Sequence, residues 1–181
     1  MSAHTHEAAL LAPPPDVLAL SRDVLARHAR TFRLASLLLT DTQRDEAALL
    51  YAFCRLVDDT VDEAPDLTQA RADLDALRDE LHGQRQPRPL VAAFTQLCAL
   101  RRIPLSAAHE LIHGVASDLD DVRIPDDEAL LRYCYRVAGT VGLMMCGVIG
   151  VTQARALPFA IDLGVGMQLT NICRDVLEDA H

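Results

Sequence analysis

Aromatic residues make up only 4% of this sequence, which leaves little material for the cross-strand pairs of a β-sandwich. No block of Lys and Arg occurs and the formal charge is −9, so nothing meets a phosphate backbone and nucleic-acid binding is excluded. The five cysteines (54, 98, 134, 146 and 173) form no C-x-x-C pair and mostly fall in apolar runs, a pattern of buried thiols in a reducing compartment rather than disulfides. No secretory signal opens the chain. Its longest apolar run, Val141 to Val151, is too short for a bilayer, which needs about 20 residues. Repeats of solenoid period and low-complexity tracts are lacking too.

What is present is alanine, leucine and an apolar content of 50% over 181 residues, the composition of one all-α domain with a single core. Residues 1–15, ending in three prolines, are expected to be a disordered leader, with residues 16–181 forming the domain. Asp16 is the expected N-cap of a first helix, which the segment 28–39 continues or restarts. Thr40 and Gln43 fit a capping box for a helix over 42–63 that stops before Pro65. Apolar residues at 67, 70, 74, 77 and 81 predict an amphipathic helix with a solvated charged face, closed by Gly83. Further helices are expected over 90–102, 105–119, 126–150 and from Leu157-Pro158 onward.

Two acidic stretches carry the chemistry. In 168–179, QLTNICRDVLED, the residues Gln168, Asn171, Asp175 and Glu178/Asp179 recur every three or four positions and share one helix face. In 54–62, CRLVDDTVD, Asp58 and Asp62 do the same, with Arg55 one turn earlier. A bland alternative has Arg55 and Arg174 satisfying these carboxylates as surface ion pairs. Taken together, the two stripes are expected to face a common cavity, where Mg2+ accepts a few carboxylates and completes its shell with phosphate oxygens. Such an ion would neutralise a diphosphate leaving group. His109-Glu110-x-x-His113 spells the zinc-protease HExxH, yet Ala116 and Leu119 replace the Gly and His of its extended form, so the match reads as coincidental. A calcium loop from Asp118 fails at Arg123 and Ala129.

YAFCRLVDDTVD (51–62) and QLTNICRDVLEDA (168–180) resemble the two aspartate-rich motifs of the squalene/phytoene synthase family. YCYRVAGTVGLMM (133–145) and HARTF (28–32) resemble its intervening and N-terminal substrate-binding segments, and the wording is most similar to the bacterial phytoene synthase branch. The resemblance implies an isoprenoid synthase helical bundle that joins two geranylgeranyl diphosphates head to head. An allylic cation is attacked by the second prenyl double bond, and the cyclopropylcarbinyl diphosphate so formed rearranges to phytoene without NADPH. It also implies that Asp58, Asp62, Asn171, Asp175 and Asp179 hold Mg2+ (or Mn2+). Arg30, Thr31, Arg55, Tyr133, Gln168 and Arg174 then line the diphosphate and reaction site, with apolar Val137, Val141, Leu143 and Met144 excluding water. His28 is either a diphosphate contact or a partly exposed helix histidine.

Squalene or dehydrosqualene synthesis from farnesyl diphosphate is the rival within the family. Outside enzymology the rival is a non-catalytic remnant binding at most diphosphate or a partner. Ile124 and Leu177 depart from a frequent tyrosine and a frequent glycine. The family normally continues past residue 181, so an incomplete bundle, inactive alone, is expected. The location implied is cytoplasmic, with peripheral contact at the inner membrane surface.

Overall fold

The computed structural model describes residues 13–28, 38–120 and 124–179, with His28 and the last three described by backbone only; among these every regular element is helical. Helix α1 spans Pro15–His28. Proline suits a first turn because it has no amide hydrogen to leave unpaired, and Leu18 N–H donates to the Pro14 carbonyl at 3.0 Å. Asp16 therefore sits inside the first turn rather than capping it, and Pro15, expected in the leader, is already helical. Residues 1–12 lie outside the described residues.

Helix α2, Asp41–Asp62, begins with the expected capping box: Gln43 N–H donates to Thr40 Oγ1, and Thr40 N–H to Gln43 Oε1 at 3.1 Å. Its middle is the centre of the molecule. Leu49, Leu50, Phe53 and Val57 are buried, Phe53 stacks on Phe94 with ring centroids 3.7 Å apart, and α2 touches most of the other helices. Helix α3, Leu67–Leu81, is capped by Asp66 and buries Ala70, Leu74, Leu77 and Leu81, the spacing of one helix face. Leu67, read as inward, is exposed. Gly83 follows the helix with φ +71°, the left-handed geometry glycine tolerates.

The charges of α3 are not all solvated. Glu80 is buried and accepts from Arg88 Nε at 2.9 and 3.0 Å and from the Arg88 N–H at 2.9 Å, tying the loop before α4 to the core. Helix α4, Pro89–Arg101, ends with Arg101 holding the buried Glu46 of α2. Helix α5, Leu105–Ala116, passes into a 3-10 turn at Ser117–Leu119. Of the free thiols, Cys98, Cys134 and Cys146 are buried as expected, Cys54 is partly buried, and Cys173 is exposed.

The expected single helix 126–150 is three pieces: α6 (Asp127–Cys134), a π-helical turn (Tyr135–Gly139) and α7 (Thr140–Ile149). The extra residue in such a turn shifts the helix face. Gly142 explains how the last helix, α8 (Leu157–Asp179), lies against α7: a Cβ there would collide with the Ala160 carbonyl. Gly164 repeats the contact from the other side, against the Ala138 carbonyl. The outer face of α8 has no such partner among the described residues, and Phe159 and Leu163 are 74% and 67% exposed. The helical stretch Ala154–Val176 is long and apolar enough to cross a membrane by length and composition.

Candidate functional site

The acidic end of α2 emerges where the helix leaves the core. Val57 is fully buried on one side, and on the other Asp58 and Asp59 stand half-exposed and Asp62 exposed, at the end of the helix, where the helix dipole already disfavours negative charge. Arg55 Nη2 lies 2.6 Å from Asp59 Oδ1, so the arginine expected to serve a ligand stripe pairs with the one aspartate outside that stripe. Asp58 keeps a carboxyl pushed up to about 6. Burial is the largest cause, Arg55 opposes it, and Asp62, Asp59 and Asp118 add like charge.

Asp118 arrives from the 3-10 turn after α5, and its Oδ2 accepts a hydrogen bond from Tyr133 Oη of α6 at 3.2 Å. Burial raises the Tyr133 phenol, and Asp118 raises it further, so Tyr133 stays protonated. Burial likewise raises the Asp118 carboxyl, with the Tyr133 hydrogen bond opposing and Asp62 adding. Three chain segments thus bring Asp58, Asp62, Asp118 and Tyr133 together. Tyr51, one turn before Arg55 on the same face, joins them: burial raises its phenol, Arg55 lowers it and Asp58 raises it. Tyr51 was legible from its i, i+4, i+7 spacing to Arg55 and Asp58. Asp118 was not, because nothing local links it to residue 58.

Magnesium chemistry suits this face. It offers hard carboxylate oxygens, and an ionised Asp58 in partial burial beside like charges is relieved by a divalent cation. Among the described residues no three His, Cys, Asp or Glu side chains converge as a closed metal cage. Mg2+ does not require one, since it commonly takes one or two carboxylates, waters and substrate phosphates.

The α8 stripe is arranged otherwise. Arg174 Nε and Nη2 lie 3.0 and 2.8 Å from Asp175 Oδ1, and Nη1 lies 3.4 Å from Asn171 Oδ1. Arg174 and Asp175 are more than half exposed and pair with each other in this chain, the arrangement of the surface ion pair weighed above. Gln168 and Asn171 are half-buried. The side chains of Asp179 and His28, and all of Arg30 and Thr31, lie outside the described residues. Of the expected apolar wall, Val137, Val141 and Leu143 are partly exposed, whereas Met144 is fully buried in the core.

The HExxH residues are occupied structurally. His109 stacks on His82 with centroids 4.3 Å apart, and Glu110 accepts from Arg136 Nε at 3.0 Å. Asp120 pairs with Arg71 at 2.7 Å, as a surface carboxylate rather than a calcium ligand.

Residues 25–181 match the model of the family described as squalene/phytoene synthase. The chain belongs to that family. It is similar to the 15-cis-phytoene synthase of Pantoea ananas, 34% identical over 179 residues that cover 92% of this chain and 58% of that protein. The phytoene synthase of Thermus thermophilus is 43% identical over 168 residues, covering 91% and 56%. Among solved structures, a dehydrosqualene synthase in complex with ligand superposes with a TM-score of 0.80 at 29% identity, over 91% of this chain and 58% of that one. The squalene synthase HpnC of Alicyclobacillus acidocaldarius gives 0.77 at 26% identity, over 91% and 63%. The fold is therefore the helical bundle of isoprenoid synthases. The chain spans less than two-thirds of the length of these relatives.

Proposed function

We propose that the chain carries the first-motif side of a head-to-head prenyltransferase that condenses two geranylgeranyl diphosphates to phytoene. The observation that carries this reading is the clustering of Asp58, Asp62 and Tyr133 at the end of α2, in a chain of this family. Asp58 and Asp62 hold Mg2+, or Mn2+ in its place, and Asn171, Asp175 and Asp179 complete the set from α8. The cation, when bound, neutralises charge on the departing diphosphate. Arg55, Arg174 and Gln168 donate hydrogen bonds to phosphate oxygens, with His28, Arg30 and Thr31 contributing from the N-terminal segment. Tyr133 donates as a neutral phenol. Val137, Val141 and Leu143 keep water from the allylic cation.

Farnesyl diphosphate as substrate is the second reading, favoured by the likeness to a dehydrosqualene and a squalene synthase. The exposed outer face of α8 supports a further part of the proposal: residues 1–181 alone are inactive, because a site beside an uncovered helix stays open to water. The same face makes peripheral membrane contact the route by which these amphiphilic substrates arrive.

The test supplies geranylgeranyl or farnesyl diphosphate with Mg2+ to this chain, and to this chain joined to the C-terminal part of the Thermus thermophilus relative. Phytoene from the longer form with the C20 substrate only is the expected result. Product from the C15 substrate instead selects the second reading, and turnover by residues 1–181 alone refutes the inactivity. Product that persists in both Asp58→Asn and Asp175→Asn sinks the metal assignment.

A further inference from the structure

Asp118 belongs to neither aspartate-rich stretch, and the proposed mechanism gives it no part. Its surroundings nevertheless hold it in place. Ser117 Oγ donates to the Gly114 carbonyl, Leu119 is buried in the core, and Asp120 is ion-paired with Arg71 of α3. Both flanking residues are thus anchored, and the carboxylate between them projects from a fixed turn although it is itself exposed. It meets Tyr133, which lies on α6 just before the π-helical turn, where a slip in helix register would redirect the phenol.

A phenol has two χ angles, and its hydroxyl hydrogen rotates about the C–O bond. An acceptor at a fixed point removes both freedoms. The carboxylates of Asp58 and Asp62 stand close by but belong to another helix. Without Asp118, the Tyr133 hydroxyl would be drawn to one of them and would take up oxygen lone pairs that the cation needs.

We propose that Asp118 is a positioning residue for the prenyltransferase reaction: its Oδ2 accepts the Tyr133 hydroxyl, aiming the phenol at the diphosphate site and keeping it off Asp58 and Asp62. The inference rests on the prenyltransferase reading for the role of Tyr133. It assigns Asp118 a hydrogen bond, not a place in the cation's shell, and that distinction is measurable. Asparagine keeps an acceptor oxygen and loses the charge; alanine loses both.

Two arms test it. In the first, the protein is labelled with 13C at tyrosine Cζ; with only three tyrosines, the Tyr133 signal is identified by its loss in Tyr133→Phe. The signal should move in Asp118→Ala and stay near its original position in Asp118→Asn. An unmoved signal in Asp118→Ala overturns the inference whether or not the protein turns over substrate.

In the second, kinetics are measured on the form that makes product. Asp118→Ala should lower kcat about 10-fold with KM changed less than about twofold, since misplacing a group costs rate more than affinity. Asp118→Asn should recover most of that loss, and adding Asp118→Ala to Tyr133→Phe should cost nothing further. Losses that multiply, or an asparagine variant as impaired as the alanine one, overturn the inference by making Asp118 independent of Tyr133 or a charge in its own right. If no form makes product, it is the prenyltransferase reading that fails, and the first arm still decides whether Asp118 holds Tyr133.

Discussion

Helices α2 and α8 carry nearly the same acidic pattern and treat it differently. On α2 the aspartates follow directly on a face buried to the last atom at Phe53 and Val57, so Asp58 is held half out of water among like charges. On α8 the inner face is pinned by two glycine contacts, but the outer face carries bare Phe159 and Leu163, and Asp175 turns to its neighbour Arg174 in solvent. Spacing makes a polar stripe. Packing behind and around that stripe decides whether its charges are poised for a ligand or quenched as a surface pair worth about 0–1 kcal/mol.

The largest effect expected from breaking this contrast comes from Asp58→Asn. In the form that turns over substrate, it should cost at least about 1,000-fold in rate and abolish any rise in Tm on adding Mg2+. Without cation the same variant should be more stable than the parent. The Asp58 carboxyl is raised in the folded chain, so its ionisation is a penalty that sets in above the unfolded value and is complete above about pH 6. Asparagine removes it, by roughly 1 kcal/mol after allowing for partial exposure. A variant no more stable at pH 8 than at pH 5, relative to the parent, would show that Asp58 is not strained.

Next in size is Gly142→Val, which places side-chain atoms against the Ala160 carbonyl. A loss of about 2–3 kcal/mol in urea unfolding is expected. Hydrogen exchange should accelerate along α8 before the middle of α2, because only α8 depends on that contact. Equal acceleration in both would mean that the two helices unfold as one unit.

The smallest effect concerns the imidazole stack between the end of α3 and α5. Burial is the main force lowering His109, with His82 and Arg78 adding to it. A base lowered on folding binds its proton more readily when unfolded, so stability should fall as pH drops through about 6.5. His109→Phe keeps a ring on His82 and should flatten the Tm profile between pH 7 and 5 by a few degrees; an unchanged profile would remove His109 as the cause.

Much of this architecture can be read from the residues, and the exceptions share a cause. The capping box at Thr40, the buried face of α3 from Ala70 to Leu81 and the breaks near Gly83 and Pro104 depend on neighbours within a turn, and they appear as expected, with Leu67 alone left out in solvent. The interruption at Tyr135–Gly139 does not, because VAGTVGLMM has the composition of an unbroken apolar helix. Glu80 read as solvated for the same reason: its partner Arg88 lies beyond the helix end. At the site, Arg55, Asp58 and Asp62 were visible as one helix face, and Tyr51 could have been added to it. Asp118 was seen only as a failed calcium ligand.

What the amino-acid order determined by itself is the set of helices, their caps and the polar stripe on each acidic helix, since all of these follow from a repeat of about 3.6 residues and from local hydrogen bonds. What only the tertiary structure decided is which charges feel one another. Asp118 and Tyr133 reach Asp58 across three segments, whereas among the described residues Arg174 pairs within its own helix, with Asn171 and Asp175, because burial and the distance between charges are set by how helices pack rather than by where residues fall along them.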